Sequence, residues 1–267
     1  MDIDELESIA ENVAEQLDDH IGKLGKFALN IRNTKFPSTN LALFSFIPKV
    51  ESIRSGIFEL ARAGEVYSEK ILFRSICEHF LKFKYIVTRF TEDKNDDIGK
   101  EYFIFCGAQE ELNFAKSLKK RASVLGEKID IDPLEILKKY QPILKNESNR
   151  SINKIADQFK HKNMVEYVTK ILDSEKETPN PFLPNIIPAY SELSSFVHGG
   201  PSTQRDSDIC ADQRLAEKTL IKDAMVALQM SLSVRSFAFL LFSLEDKDML
   251  SLFKVIDKNL KSLPRLK

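Results

Sequence analysis

Arg74 and Glu78 stand four residues apart in the run LFRSICEHFLKFKYI, and His198 closes the run YSELSSFVHGGP. On a helix, four residues turn through roughly 40°, so Arg74 and Glu78 are neighbours on one strip, which Lys82 continues. Such a strip is either an ordinary exposed ladder of opposite charges or a half-buried pair held in fixed geometry. Buried charge survives only when paired, and often marks a site. In the second run Tyr190, Leu193, Phe196 and Val197 recur at helical spacing, with Ser191, Ser194 and His198 on the adjoining stripe. Gly199, Gly200 and Pro201 end the helix at about His198. A histidine at a helix C-terminus feels the negative end of the dipole, which favours its charged form. It is then a proton donor or a phosphate partner, or else a cap on the last carbonyls.

The elements that must position these residues follow from periodicity. Ile3, Leu6, Ile9, Val13, Leu17, Ile21, Leu24 and Leu29 predict one amphipathic helix over about 3–32. A loop at 33–40 follows, then a helix from Ala42 or Pro48 to Val66. Ser68 to Phe90 is apolar around most of its circumference and reads as the central and most buried helix. Further helices are expected at Ile98–Leu125, Pro133–Leu144, Ile152–Phe159, Met164–Leu172, Ser207–Leu244 and Met249–Leu260. The polar, proline-bearing stretch 173–184 reads as a loop. No stretch alternates with period two, so the fold class is all-α. The domain reading is an N-terminal acidic helix and linker over 1–40 and a single helical bundle over 41–267.

Composition excludes several functions. The 267 residues carry a net charge of −1, so no global basic field announces nucleic acid. Cys77, Cys106 and Cys210 form no metal motif and suit a reducing compartment. The acidic N-terminus does not read as a signal peptide, and the run Phe237–Phe242 is too short to span a bilayer. The expected location is the cytoplasm, with no membrane contact and no cofactor. Eight acids and no Lys or Arg fall in the first twenty residues. They form either a solvated face or an arm that docks on a basic protein partner.

The segments RSGIFELARAGEVYSEK, LFRSICEHFLKFKYI, SINKIADQF and YSELSSFVHGG resemble an uncharacterised bacterial all-helical family of unknown function. That family carries an Arg-x3-Glu helix and a Tyr-x2-Leu-Ser-x3-His signature, and is similar to the HEPN bundles of toxins and phage defence. The likeness covers about Ile53 to Pro201. It implies Arg74, Glu78, Tyr190, Ser194 and His198 as the matching positions, with no role for Ser194. HEPN ribonucleases work without metal through an Arg-x4-6-His motif. Here Ser191, Glu192 and Leu193 occupy the places where that arginine would stand before His198. The formal match Arg74 to His79 diverges by roughly 140° on a helix.

A composite site is therefore the leading expectation, with Arg74 as phosphate clamp, His198 as acid or base, Tyr190 as hydrogen-bond donor and Glu78 orienting one of them. The reaction would be metal-independent RNA cleavage. The competing class is a non-enzymatic binding or assembly protein, such as an antitoxin or defence-complex subunit, with Arg74, Glu78 and His198 as a structural lock. Two weaker readings are a metal held by Glu78, Glu192 and His198, and a serine hydrolase on Ser194 lacking a nucleophile elbow. Homodimerisation is expected through Ser207–Leu244, on the premise that its FAFLLF run is exposed.

Overall fold

Apolar residues at three- and four-residue spacing put every long described segment into helix, and no strand occurs among the described residues. The structure is a computed structural model, and it describes residues 2–127, 132–174, 190, 192–194 and 211–264. The helices are α1 (Ile3–Asp18), α2 (Ile21–Asn30), α3 (Pro37–Arg62), α4 (Val66–Asp93), α5 (Asp97–Glu101), α6 (Gly107–Val124), α7 (Pro133–Tyr140), α8 (Asn149–Gln158), α9 (His161–Ser174), α10 (Gln213–Phe242) and α11 (Met249–Ser262). Tyr190 and the residues 192–194 are also helical.

Several boundaries differ from the sequence reading, each for a local reason. The helix expected over 3–32 is two helices. The apolar spacing from Leu17 to Ile21 is kept, but His20 leaves helical geometry between them, and Gly22 and Gly25 follow as poor helix formers. Asp2 and Glu5 form a reciprocal capping box at the start of α1. The first-turn proline of α3 is Pro37, while Pro48 lies inside the helix without ending it. Asp96 caps α3 from a distant loop, accepting from the backbone N–H groups of Ser38 and Thr39 at 3.1 and 2.8 Å. That loop can approach because residue 99 is glycine: a Cβ there would lie 2.2 Å from the Thr39 nitrogen. The helix expected from Ile98 to Leu125 is interrupted by a π-helical turn over Tyr102–Cys106.

α3, α4 and α10 pack against one another at the centre, α9 lies on α4, and α11 and α1 close the far side of α10. Phe46, Phe80, Phe83, Phe239 and Phe242 are fully buried in one contiguous core, which also takes in Leu6 and Val13 of α1. α4 is not alone at the centre. It buries 14 of its 28 residues, and α10 buries 16 of 30. By length and composition α10 could cross a membrane, yet 72% of its most apolar stretch is buried within the bundle. Ala238, Phe239 and Phe242 of the FAFLLF run are buried and Leu240 is exposed. The premise of an exposed apolar run for dimerisation is therefore corrected: α3, α4 and α11 already cover most of it.

Candidate functional site

Arg74 and Glu78 sit on the face of α4 that the helical residue Tyr190 meets. The Arg74 Nη2 donates to the Glu78 Oε1 at 3.2 Å and to the Tyr190 hydroxyl at 3.1 Å. The Tyr190 hydroxyl in turn donates to the same Glu78 oxygen at 2.8 Å. The guanidinium also lies 5.1 Å from the Tyr190 ring centroid, within cation–π range. The side chains of Arg74 and Glu78 are 17% and 35% exposed, so the pair is neither a solvated ladder nor sealed from water.

A fourth member was not anticipated from sequence. His161, the first residue of α9, stacks on the Tyr190 ring with centroids 3.6 Å apart and planes at 15°. Its Nε2 is buried without a hydrogen-bond partner, and so is the Nε of Arg74. One cluster thus holds a cation with a free donor and an imidazole with a free ring nitrogen. Burial holds the His161 imidazole below its ordinary value; Glu78 pulls it up and Arg74 pushes it down by smaller amounts. Burial likewise raises the Tyr190 phenol, so it keeps its proton as a donor. For Arg74 burial works against the charge, but the bonds to Tyr190 and Glu78 outweigh it and hold the guanidinium above its ordinary value. A signal for His161 did exist: the chain has only 4 histidines, and this one stands two residues beyond the SINKIADQF segment.

The other sequence candidates separate. His79 turns back on its own helix, its Nδ1 bonded to the Ser75 carbonyl oxygen at 2.8 Å, with its ring against Phe46. Burial lowers its pKa too. Glu192 is exposed and Ser194 half-buried on the Tyr190 segment. His198 lies outside the described residues, as does Cys210. Among the described residues no group of three or more His, Cys, Asp or Glu is placed to hold a metal.

Two further charged clusters went unread in the sequence. Between α3 and α10, Glu51 accepts from Arg54 Nε at 3.0 Å, from the Ser231 hydroxyl at 2.7 Å and from Arg235 Nη2 at 2.6 Å. Burial pushes the Glu51 carboxyl up, but Arg235 and Arg54 outweigh it and hold it below its usual value. Between α4 and α10, Lys70 is ion-paired to the buried Asp223, whose carboxyl also meets that of the fully buried Glu69. Burial and then the Asp223 charge push Glu69 up to about 9. Burial, then Asp223 and Glu69, push the neighbouring Cys77 thiol up to about 12, which removes it as a nucleophile. A groove of about 760 Å³ lies between the start of α1, the end of α3 and the start of α10, and Val66 and Leu220 in its lining stand one turn from Glu69 and Asp223.

The model of a family of unknown function, DUF5677, matches residues 40–210, a span that takes in Arg74, Glu78, His161, Tyr190 and His198. No curated protein and no solved structure matches the chain.

Proposed function

We propose, for a chain that belongs to the family of unknown function DUF5677, that the Arg74 cluster binds an RNA phosphodiester and cleaves it by internal transesterification. The observation that carries this reading is the pair of buried, unpartnered nitrogens, Arg74 Nε and His161 Nε2, in one partly exposed cluster. A phosphate oxygen would satisfy the first, and a 2′-hydroxyl proton would go to the second. The lowered pKa keeps His161 neutral at pH 7 and so available as the base. The 2′-oxygen then bonds to phosphorus and the bond to the 5′-oxygen breaks. His198, eight residues beyond Tyr190 in the chain, is the proposed acid for the leaving oxygen. The products are a 2′,3′-cyclic phosphate and a 5′-hydroxyl. Arg74 clamps the pentavalent phosphate, while Glu78 and Tyr190 orient the guanidinium. The setting we propose is a cytoplasmic, HEPN-like protein of toxin or phage-defence type, supported by the resemblance of its Arg-x3-Glu and Tyr-x2-Leu-Ser-x3-His segments.

One observation favours the second reading, a non-enzymatic binding or assembly protein. Arg74, Glu78 and Tyr190 already satisfy one another through three mutual hydrogen bonds, as a structural lock would. Thermal melting and RNA cleavage measured side by side on wild type, Arg74→Ala and His161→Ala separate the two. Stable variants that have lost cleavage support the nuclease. A wild type inert towards RNA, with Arg74→Ala melting early, ends it in favour of the lock.

A further inference from the structure

The face of α4 that carries Arg74 and Glu78 continues, at helical spacing, to Tyr85 and Arg89. Fifteen residues separate the two arginines, roughly 22 Å along the helix. At the Arg89 end, α4, α8 and α9 border a cleft of about 470 Å³ lined by Tyr85, Arg89, Lys154, Asp157, Gln158, Asn163 and Tyr167.

The polar groups of this cleft are fixed in orientation. Arg89 Nη1 donates to the Gln158 Oε1 at 2.9 Å, and since arginine only donates, the amide oxygen of Gln158 must face it. The Gln158 Nε2 then remains as a donor. The Asn163 Nδ2 donates to the Asp157 backbone oxygen at 2.6 Å, which leaves its Oδ1 as an acceptor. A donor and an acceptor of this kind match the polar edge of a nucleobase. The half-buried Tyr167 ring is held edge-on to Tyr85, with centroids 5.4 Å apart, and lies 5.9 Å from the Arg89 guanidinium. An aromatic ring so fixed is a stacking platform. Of the acids nearby, Asp93 and Glu101 share the one cation Arg89, Asp157 pairs with Lys160 at 2.7 Å, and Glu92 also acts on Tyr167. Lys154 is exposed and has no ion-pair partner among the described residues.

We infer that this cleft is a base-binding subsite for single-stranded RNA, taking a nucleotide of the strand whose scissile phosphate sits at Arg74. Tyr167 stacks on the base, Gln158 and Asn163 meet its edge, and Lys154 takes a flanking phosphate. The inference rests on the cleavage reading for the position of the strand, but its test is separate.

The test is fluorescence anisotropy of the full chain with a labelled 2′-O-methyl octanucleotide, whose capped 2′-oxygens cannot be cleaved. Tyr167→Leu should weaken binding about tenfold, the loss of one stacked base, while Tyr167→Phe stays close to wild type. Lys154→Glu should weaken it by a similar factor and flatten the salt dependence by roughly 0.7 in log–log slope, one phosphate contact on a single strand. Lys247→Glu, the same charge change in the turn before α11, should leave affinity unchanged. Wild-type affinity in both Tyr167→Leu and Lys154→Glu overturns the subsite. So does equal weakening by Lys247→Glu, or no binding of the octanucleotide by wild type. Cleavage of the unmodified octanucleotide decides the other reading. If it is absent while Tyr167→Leu still weakens binding, the subsite stands and the nuclease falls. If it is present and Tyr167→Leu binds normally, the reverse holds.

Discussion

Glu51 and Glu78 each hold an arginine at a helix interface, yet they end in different electrostatic situations. Around Glu51 the partners close up. Arg54, Arg235 and Ser231 all donate to it, and the arginine side chains are only 11% exposed. No atom of Glu51, Arg54, Arg235 or Ser231 is left buried without a partner. Around Glu78 the partners stop short. Arg74 and Tyr190 satisfy the carboxylate, but Arg74 Nε and His161 Nε2 are left over. A buried polar atom without a partner costs free energy, so it is kept where something else can occupy it. The bundle therefore already holds one closed lock joining α3 to α10, and the open cluster is the one suited to a ligand.

The largest expected effect sharpens that contrast. Arg74→Ala and His161→Ala should each lower RNA cleavage by about 10² to 10⁴, the span of a lost clamp or proton acceptor, with melting temperatures close to wild type. Early melting of Arg74→Ala would put the two clusters in the same class. At the closed cluster the outcome inverts. Arg235→Ala leaves Glu51 buried with one cation fewer and should cost about 3 kcal/mol, on the order of 10 °C in melting temperature, with the cleavage rate of the folded protein unchanged. A silent Arg235→Ala would mean that Glu51 is no lock.

Glu69 offers a third point of comparison, a buried acid set against a second acid, Asp223. Its folded pKa is about 9 against an ordinary 4.5. Its contribution to stability is therefore full below pH 4.5 and is lost as pH rises towards 9, because the unfolded chain releases the proton first. Glu69→Gln removes that loss and should raise stability at pH 8 by on the order of 2 kcal/mol, with a flatter dependence of melting temperature on pH. A destabilised Glu69→Gln across that range would contradict the assignment. A smaller effect is expected from Tyr190→Phe. It deletes one hydroxyl that both donates to Glu78 and accepts from Arg74, costing about 1 kcal/mol of stability and weakening cleavage.

The smallest effect is in the pH profile. A base must be neutral, so cleavage should fall as pH drops through the His161 pKa, which lies below 6.5. Glu78 raises that pKa, so Glu78→Gln should move the acidic limb further down. A limb that moves upward would remove Glu78 from the environment of the base. The same depressed pKa makes the unfolded chain bind the proton first, so the fold loses stability as pH falls below 6.5.

Helical periodicity was enough to settle the all-α fold, the central place of α4, the burial of Phe80 and Phe83, and the shared strip of Arg74 and Glu78. Each of these depends on spacing along one chain segment. Local rules were less reliable where competing signals were close in strength. The apolar spacing ran through Asp18, Asp19 and His20, yet the helix breaks there, and Pro48 sits inside a helix that tertiary packing holds together. Tertiary structure alone decided the rest. His161 and Tyr190 are far apart in sequence, and only the packing of α9 on α4 brings the imidazole onto the ring. Whether Glu51 is closed and Arg74 open depends on which side chains arrive from other helices, Arg235 and Ser231 at one and Tyr190 and His161 at the other. The sequence names the charges, while burial and partnership, which set their energies, exist only once the helices have packed.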